Sequence, residues 1–163
     1  MKSSDKFLVG IVVAIILLVV VVFAVVLTRP EPAYQPEETA SGVAHNYLLA
    51  LQREEFERAY GYLSPRLSDH PASVEEFSDQ LEDYAWRFRE DVEKTMAVES
   101  ERVVGSRTVV SVRETRFYGG GLFDSGQSVN TFEMKLEQEG DAWKLVDADD
   151  YFAHCWIEAD GCN

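Results

Sequence analysis

Residues 44–65 read AHNYLLALQREEFERAYGYLSP, and this stretch decides the fold of the region that follows the N-terminus. Its apolar residues form two quartets with the helical spacing i, i+3, i+4 and i+7. The quartets are Ala44, Tyr47, Leu48 and Leu51, and then Phe56, Ala59, Tyr60 and Leu63. Because the step from Leu51 to Phe56 breaks the period, the pattern predicts two helices bent against each other, the second of which ends at Ser64-Pro65.

A third helix is predicted from Ser73, because Ser73-Val74-Glu75-Glu76 forms a capping box. Apolar residues follow at helical spacing over about four turns. They are Val74, Phe77, Leu81, Tyr84, Ala85 and Phe88. We interpret the charged residues around its end as exposed to solvent; these are Arg87, Arg89, Glu90 and Asp91.

From about Thr95 the apolar residues alternate, which is typical of strands with one buried face. The alternating sets are Val110/Val112, Phe132/Met134/Leu136 and Trp143/Leu145. Residues 138–141 predict a turn with Gly140 at positive φ, and residues 119–126 predict a longer hairpin connection. Helices followed by an antiparallel meander predict an α+β domain whose helices pack on one face of the sheet.

The N-terminal region contains a long apolar segment, because every residue from Phe7 to Leu27 is apolar or Gly. At about 1.5 Å per residue a helix of this length spans about 30 Å, the thickness of the hydrocarbon layer of a bilayer. A cleaved signal peptide is the alternative, but its apolar core usually has only about 7–15 residues. Val22-Phe23-Ala24 is also a poor cleavage site. Residues 7–27 therefore predict a transmembrane helix whose partner is the lipid bilayer.

Positive charge predicts the topology, since Lys2 and Lys6 precede the span and only Arg29 follows it closely. Pro30, Pro32 and Pro36 disfavour regular structure after the span and predict an extended spacer. The predicted organisation is a cytoplasmic leader 1–6, a transmembrane helix 7–27, a Pro-rich stalk 28–40 and an extracytoplasmic domain 41–163. We expect a single-pass protein of the cell membrane.

The chain is acidic, with 15 Lys and Arg against 29 Asp and Glu and a formal charge of -14. Without Lys2, Asp5 and Lys6 the count is 13 basic against 28 acidic residues, which gives -15 for residues 29–163. A nucleic-acid partner is excluded, because phosphate-binding surfaces are basic. Solubility explains this acidic excess more simply than a dedicated acidic site does.

The two cysteines of the chain, Cys155 and Cys162, lie close together near the C-terminus. In an oxidising compartment such a pair predicts a disulfide. A metal site is the alternative, but with His154 it would have at most three ligands and no Cys-x2-Cys spacing. We therefore predict a disulfide and no metal.

Three segments resemble the NTF2-like superfamily: NYLLALQREEFERAYGYLSPRL at 46–67, SVEEFSDQL at 73–81 and GDAWKLVDADDYF at 140–152. The resemblance implies a curved sheet wrapped around helices to form a cone. The layout of an N-terminal anchor and one such domain is similar to that of membrane-tethered bacterial members of the superfamily. This similarity implies binding or scaffolding. Ketosteroid isomerase and scytalone dehydratase relatives in the same superfamily imply a cone-site enzyme as the alternative.

Catalytic motifs are weak in this sequence. None of the three histidines has a nearby acid at a spacing that suggests a dyad. We interpret Tyr47, Tyr60 and Tyr84 as packed aromatic residues. The acids at 147, 149 and 150 could hold Ca²⁺, but without an EF-hand-like loop we interpret them as solvated strand-end residues. The sequence predicts no catalytic residue and no cofactor.

The hairpin tip from Gly119 to Gly126 contains two apolar residues, Leu122 and Phe123. Two interpretations stay open: these side chains contact a protein partner, or they fold back on the sheet. We expect a non-enzymatic, membrane-anchored domain that binds a protein partner or small ligand at the cell envelope. The alternatives are an isomerase- or dehydratase-type enzyme and a structural spacer domain of a membrane assembly.

Overall fold

A computed structural model of the chain describes residues 3–27, 32–85, 87–88, 92–119 and 125–162. The chain forms two units, residues 1–33 and residues 34–163. The first unit contains helix α1, Ser3–Leu27. Its segment Phe7–Ala24 has a mean hydropathy of 3.5 and is long and apolar enough to cross a membrane. A signal sequence meets the same criterion, so the uncleaved anchor and its topology stay predictions.

The second unit begins with the two helices predicted from the quartets. Helix α2 is Ala40–Gln52 and helix α3 is Phe56–Gly61. Thr39 caps α2, since its hydroxyl accepts a hydrogen bond from the backbone N–H of Gly42 at 3.0 Å. Between the helices Glu54 has a φ of 56°, so the chain turns sharply where the apolar period breaks. The predicted pair of helices is confirmed, but α3 ends at Gly61 and not at the predicted Ser64-Pro65, because Leu63 already pairs with Leu145 of the sheet.

Helix α4 is Val74–Tyr84, and its capping box forms as predicted. Ser73 Oγ accepts from the N–H of Glu76 at 3.2 Å, and Glu76 Oε2 accepts from the N–H of Ala72 at 2.8 Å. The prediction of about four turns is too long, because α4 ends at Tyr84, whose side chain is exposed. Ala85 lies beyond the last turn of α4 but is still buried. The apolar pattern therefore extends past the end of the helix.

Four strands form one antiparallel sheet in the order β1-β2-β3-β4. Their bounds are β1 Glu93–Val104, β2 Arg107–Gly119, β3 Ser125–Glu139 and β4 Ala142–Ala148. Tight turns with Gly105 and Gly140 at φ 63° and 64° join β1 to β2 and β3 to β4. Register shifts at Val98/Ser100 and Lys135/Leu136 mark irregularities that bend a sheet, and this sheet is curved.

The helices pack on one face of this sheet, so the predicted α+β architecture is confirmed. Residues that alternate along β2 and β3 face them, for example Val112 opposite Phe132. The end of α3 is also joined to β4 by backbone hydrogen bonds: the N–H of Leu145 donates to the carbonyl of Tyr62 at 2.8 Å. A short 3-10 helix, His154–Ile157, follows β4, and its Trp156 is buried in the core.

The folded unit includes part of the predicted stalk. Residues 34–39, which we call the strap, hydrogen bond to the helices and to β4. The compact unit begins at Tyr34. The contacts of the strap are made by distant residues, which the proline content of the strap does not reveal.

Candidate functional site

Charged side chains lie buried at one end of the helix-covered sheet face. Glu114 and Arg116 on β2 have exposed fractions of 0% and 4%. They continue the face that carries Val110 and Val112, because side chains two residues apart on a strand point the same way. Across the sheet Glu114 is opposite Asn130 of β3. A buried carboxylate and a buried guanidinium are costly unless they are paired, so their partners decide what this end can do.

Arg87 and Tyr151 complete the surroundings of Glu114. Glu114 Oε2 lies 3.0 Å from Arg87 Nη1 and 2.9 Å from Arg116 Nε, and both are ion pairs. Glu114 Oε1 accepts a hydrogen bond from the hydroxyl of Tyr151. Arg87 Nε also pairs with Asp150 Oδ1 at 2.7 Å. Two acids and two guanidinium groups therefore form one charge-balanced network, which we call the buried ion cluster: Arg87, Glu114, Arg116 and Asp150.

The position of Tyr151 depends on an unusual backbone conformation. Its φ is 60°, a left-handed value that side-chain-bearing residues seldom adopt. The hydroxyl of Tyr47 donates to the carbonyl oxygen of Tyr151 at 2.6 Å and holds this conformation from inside the core. The ammonium of Lys94 lies 5.1 Å from the centre of the Tyr151 ring. Strained residues of this kind concentrate at functional sites, although packing also maintains them.

Burial and charge shift the titration of several groups here. Burial raises the pKa of the Asp150 carboxyl above its ordinary value; the Arg87 guanidinium opposes this rise and the Glu114 carboxylate adds to it. Burial, and then the hydrogen bond to Glu114, raise the pKa of the Tyr151 phenol. Burial disfavours the charged form of Arg116, but its hydrogen bond and charge interaction with Glu114 outweigh this effect and raise its pKa.

These contacts limit the chemistry that Glu114 can perform. A general base must have a lone pair within reach of the substrate proton, whereas both oxygens of Glu114 already accept from protein groups. Asp150 is held less completely, by Arg87 and a longer contact of 3.5 Å from Asn130 Nδ2. Asp150 is therefore the carboxyl of this cluster best able to exchange a proton.

Sequence reasoning missed this cluster and misassigned two of its members. We interpreted Arg87 and Asp150 as solvated, but their side chains are only 17% and 8% exposed. The chain folds back over the sheet end after α4 and after β4, which a one-dimensional pattern does not show. The sequence did contain a signal for the burial of Glu114 and Arg116. Both follow Val110 and Val112 at a spacing of two residues, so all four side chains lie on the same face of the strand.

The structure brings the predicted cysteine pair together. Cys155 and Cys162 form a disulfide with their Cα atoms 4.9 Å apart. The N–H of Cys162 also donates to Asp69 Oδ2 at 2.7 Å, which ties the C-terminal loop to the chain between α3 and α4.

The two predicted partner contacts, Leu122 and Phe123, lie outside the described residues. Among the residues that are described, no group of three or more metal-binding side chains could hold a metal ion.

Two open grooves lie on the outer surface beside the strap. The larger has a volume of about 860 Å³, and the smaller has a volume of about 280 Å³. Both are lined by Glu37, Gly61 and Tyr62. The larger also contains Glu54, Glu55, Phe56, Glu57 and Arg58, and the smaller contains Glu38, Val43, Asp141, Ala142, Trp143 and Lys144. The surface here therefore combines aromatic side chains with an acidic rim.

Comparison with known proteins yields structural neighbours alone. No family model matches the sequence, and no curated protein matches it. Among solved structures, a SEC-C motif containing protein from Rhodopseudomonas palustris is 14% identical with a TM-score of 0.49, covering 71% of this chain and 81% of that chain. A protein from Thiobacillus denitrificans, described as a calcium/calmodulin-dependent protein kinase type II association domain, is 12% identical with a TM-score of 0.48, covering 72% and 95%.

A third neighbour, from Streptomyces avermitilis, is described as a dehydratase of the NTF2-like family. It is 17% identical with a TM-score of 0.44, covering 65% of this chain and 88% of that chain. Likenesses of this degree concern the fold, and no functional conclusion follows from them. The folded unit is an α+β domain with a curved antiparallel sheet, and an NTF2-like family member is among its structural neighbours, as the sequence resemblance implied.

Proposed function

We propose that this chain is a membrane-anchored, non-enzymatic NTF2-like domain that binds a protein partner at the cell envelope. The observation that carries the proposal is the buried pairing of Glu114, whose two oxygens contact Arg87, Arg116 and Tyr151. A carboxylate that is 0% exposed and held in this way maintains the shape of the domain and is out of reach of a substrate. A small ligand in place of the protein partner is the other form of this proposal.

The anchor follows from the apolar helix and from the charges around it. All described side chains from Phe7 to Ala24 are exposed, and a helix so apolar is unfavourable in water. A lipid bilayer covers such a helix at a length of about 30 Å. With Lys2 and Lys6 on the cytoplasmic side, the domain lies outside the cytoplasm, where the Cys155–Cys162 disulfide is stable.

The two grooves beside the strap support a protein partner on the outer surface. Protein interfaces combine aromatic side chains at the centre with a polar rim. In the grooves Phe56, Tyr62 and Trp143 are the aromatic residues, and acidic side chains surround them. The acidic rim favours a partner with basic residues and disfavours nucleic acid.

Capture of partners from detergent-solubilised membranes tests this function. The full chain is cross-linked in intact cells, purified and compared with Glu57→Lys, which reverses a charge in the larger groove. Glu82→Lys is the matched control, because Glu82 is an exposed acid on α4 and does not line either groove. We expect one or more proteins to be enriched with the wild type and with Glu82→Lys, and to be lost with Glu57→Lys. Equal recovery with all three chains would contradict binding at the groove.

A cone-site enzyme of the isomerase or dehydratase type is the second candidate. The observation in its favour is Asp150, a buried carboxyl of raised pKa beside Tyr151 with its left-handed φ. Such an enzyme would bind small molecules next to Asp150. A thermal-shift screen of apolar ketones and phenols should then give ligands whose stabilisation disappears in Asp150→Asn, whereas a domain that binds only a protein partner at the grooves should give none.

A further inference from the structure

The two edges of the sheet differ in what covers them. At the β4 edge the chain after α3 forms a bridge from Leu63 to Leu145. The N–H of Ser64 donates to the Leu145 carbonyl at 2.9 Å, and the N–H of Leu145 donates to the Tyr62 carbonyl at 2.8 Å. At the β1 edge, residues 95–104 make no backbone hydrogen bond to a segment other than β2 within the part of the chain that the structure describes. One edge is therefore covered and the other is open.

The open edge strand, β1, is long and exposed. It has twelve residues, against seven in β4, and contains no proline. None of its side chains is buried, and Val103 and Val104 at its end are 77% and 54% exposed. Proteins usually shorten or cover such an edge, because its N–H and C=O groups pair readily with another strand. The β1 edge is therefore suited to pair with a further strand.

The register with β2 gives the positions of the charged side chains along this edge. Ala97 lies opposite position 113 of β2, while Glu93 and Arg102 lie opposite positions 117 and 109. Glu93 and Arg102 are therefore four positions from Ala97 on either side, and all three side chains lie on the same face. This symmetry depends on the register shift between Val98 and Ser100, because without its extra residue Glu93 and Arg102 would lie on opposite faces.

We propose that β1 pairs in antiparallel orientation with β1 of a second copy of this chain. With a two-fold axis at Ala97, each residue meets the one that lies equally far on the other side of Ala97. Glu93 then meets Arg102 of the second copy, and Lys94 meets Glu101 of the second copy. Because the axis repeats both contacts, four oppositely charged pairs flank the centre of the interface.

The other positions along the edge are also compatible with this register. Glu99, the extra residue at the register shift, forms an ion pair with Arg113 of its own copy. One position beyond Glu93, Val92 meets Val103 and covers a side chain that is 77% exposed. The remaining pairs are uncharged on both sides: Thr95 with Ser100, and Met96 with Val98.

The charges also select this register over its neighbours. With the two-fold axis one or two positions to either side of Ala97, no oppositely charged residues are directly opposite each other. The contacts within each copy can remain, since a guanidinium has several N–H donors and a carboxylate accepts more than one hydrogen bond. Arg102 pairs with Glu133 at 2.8 Å, and Glu101 accepts from Ser41 Oγ at 2.5 Å. Pairing of β1 with β1 therefore adds contacts to those already present.

This interface lies away from the surface used by the proposed function. No residue of β1 lines either groove beside the strap. The two four-stranded sheets join into one continuous sheet, and both grooves stay open in each copy. Failure of the β1 pairing would leave the proposed function untouched, and the reverse also holds.

Disulfide formation at position 97 tests the two-fold register. In Ala97→Cys the new thiol is the only free one, because the native cysteines form a disulfide, and it lies opposite itself across the axis. Thr131→Cys is the matched control, since Thr131 is exposed on the same face but belongs to β3. In the full chain in detergent, we expect Ala97→Cys to form covalent dimers about tenfold faster or more on mild oxidation. Equal rates, whether slow or fast, would overturn the proposal.

Charge reversal at Glu93 tests its contact with Arg102 of the second copy. In the Ala97→Cys chain, Glu93→Lys should slow dimer formation about tenfold, because a cation then faces Arg102 at both ends. Further replacement of Arg102→Glu restores opposite charges between the copies and should recover the rate. Glu82→Lys makes the same charge change on α4 and should leave the rate unchanged.

Protection of the Leu145 amide from hydrogen exchange verifies that each variant is folded. Equal rates in the folded Glu93→Lys and Glu82→Lys chains would contradict the proposed register. The same conclusion would follow if the folded double variant of Glu93 and Arg102 did not recover the rate.

Discussion

The helix-covered face of the sheet has an apolar end and a charged end, although the same strands build both. At the apolar end Val110, Met134 and Leu136 are all fully buried against the helices. At the charged end Glu114 and Arg116 are just as buried. Burial of apolar surface stabilises the first end directly, whereas the second must first offset the desolvation of its charges. Burial alone therefore does not identify the residues that stabilise this domain.

We expect the largest loss of stability when one member of the buried ion cluster is removed. Glu114→Gln removes the carboxylate that pairs with Arg87 and Arg116, so Arg116 loses this counter-charge in a low-dielectric site while Arg87 keeps its ion pair with Asp150. We expect the free energy of unfolding to fall by about 4 kcal/mol, measured by urea denaturation. Glu133→Gln, which removes an exposed ion pair with Arg102, is the control and should cost less than about 1 kcal/mol. Equal effects of the two variants would contradict the importance of the buried ion cluster.

A truncation at the apolar end should have a smaller effect of a different kind. Leu136→Ala leaves a cavity in the core, and we expect a loss of about 3 kcal/mol in the same denaturation experiment. Because the charged end is not involved, the NMR signals of Tyr151 and Asn130 should move little. Large shifts there would show that the two ends form one cooperative unit instead of two.

The disulfide tests how firmly the chain beyond Tyr151 is held. Replacement of both Cys155 and Cys162 by Ser should cost about 2 kcal/mol, because a short closed loop restricts the unfolded chain only modestly. We expect faster amide exchange at position 162, which is bonded to Asp69, and little change at Tyr47 in α2. Global loss of the folded state would contradict this limited role.

The raised pKa of Asp150 makes the charged end sensitive to pH. Since the pKa of Asp150 is higher in the folded than in the unfolded chain, its contribution to stability is fully present below the unfolded value of about 3.8. That contribution is lost as the pH rises through the folded pKa. The stability of the wild type relative to Asp150→Asn should therefore decrease upward from about pH 4. An increase over that range would mean that Arg87 outweighs burial.

The last prediction concerns Leu122 and Phe123 of the hairpin tip, which lie outside the described residues. Simultaneous replacement of Leu122 and Phe123 by Ser should change thermal stability by less than about 0.5 kcal/mol if both side chains are exposed. Partner capture should then be lost. A large fall in stability would show that the tip folds back on the sheet, and unchanged capture with unchanged stability would remove it from the interaction surface.

Local patterns in the sequence were sufficient for much of the fold. The capping box at Ser73 and the quartets before Ser64 depend on residues within one or two helical turns, and the structure contains the corresponding helices. The turn at Gly140 and the pairing of Cys155 with Cys162 are equally local. Such features depend on short-range hydrogen bonds and chain geometry, which a single sequence displays directly.

By itself, the sequence determined the apolar N-terminal helix, the acidic character of the domain and the order of its helices and strands. Only the tertiary structure decided where the charged residues lie. Arg87 and Glu114 are 27 residues apart, and Asn46 meets Gln35 across 11 residues, so neither contact has a periodic signal. The buried ion cluster and the bound strap arise where separate segments converge, and the free energy of such contacts depends on burial that exists only once the chain has folded.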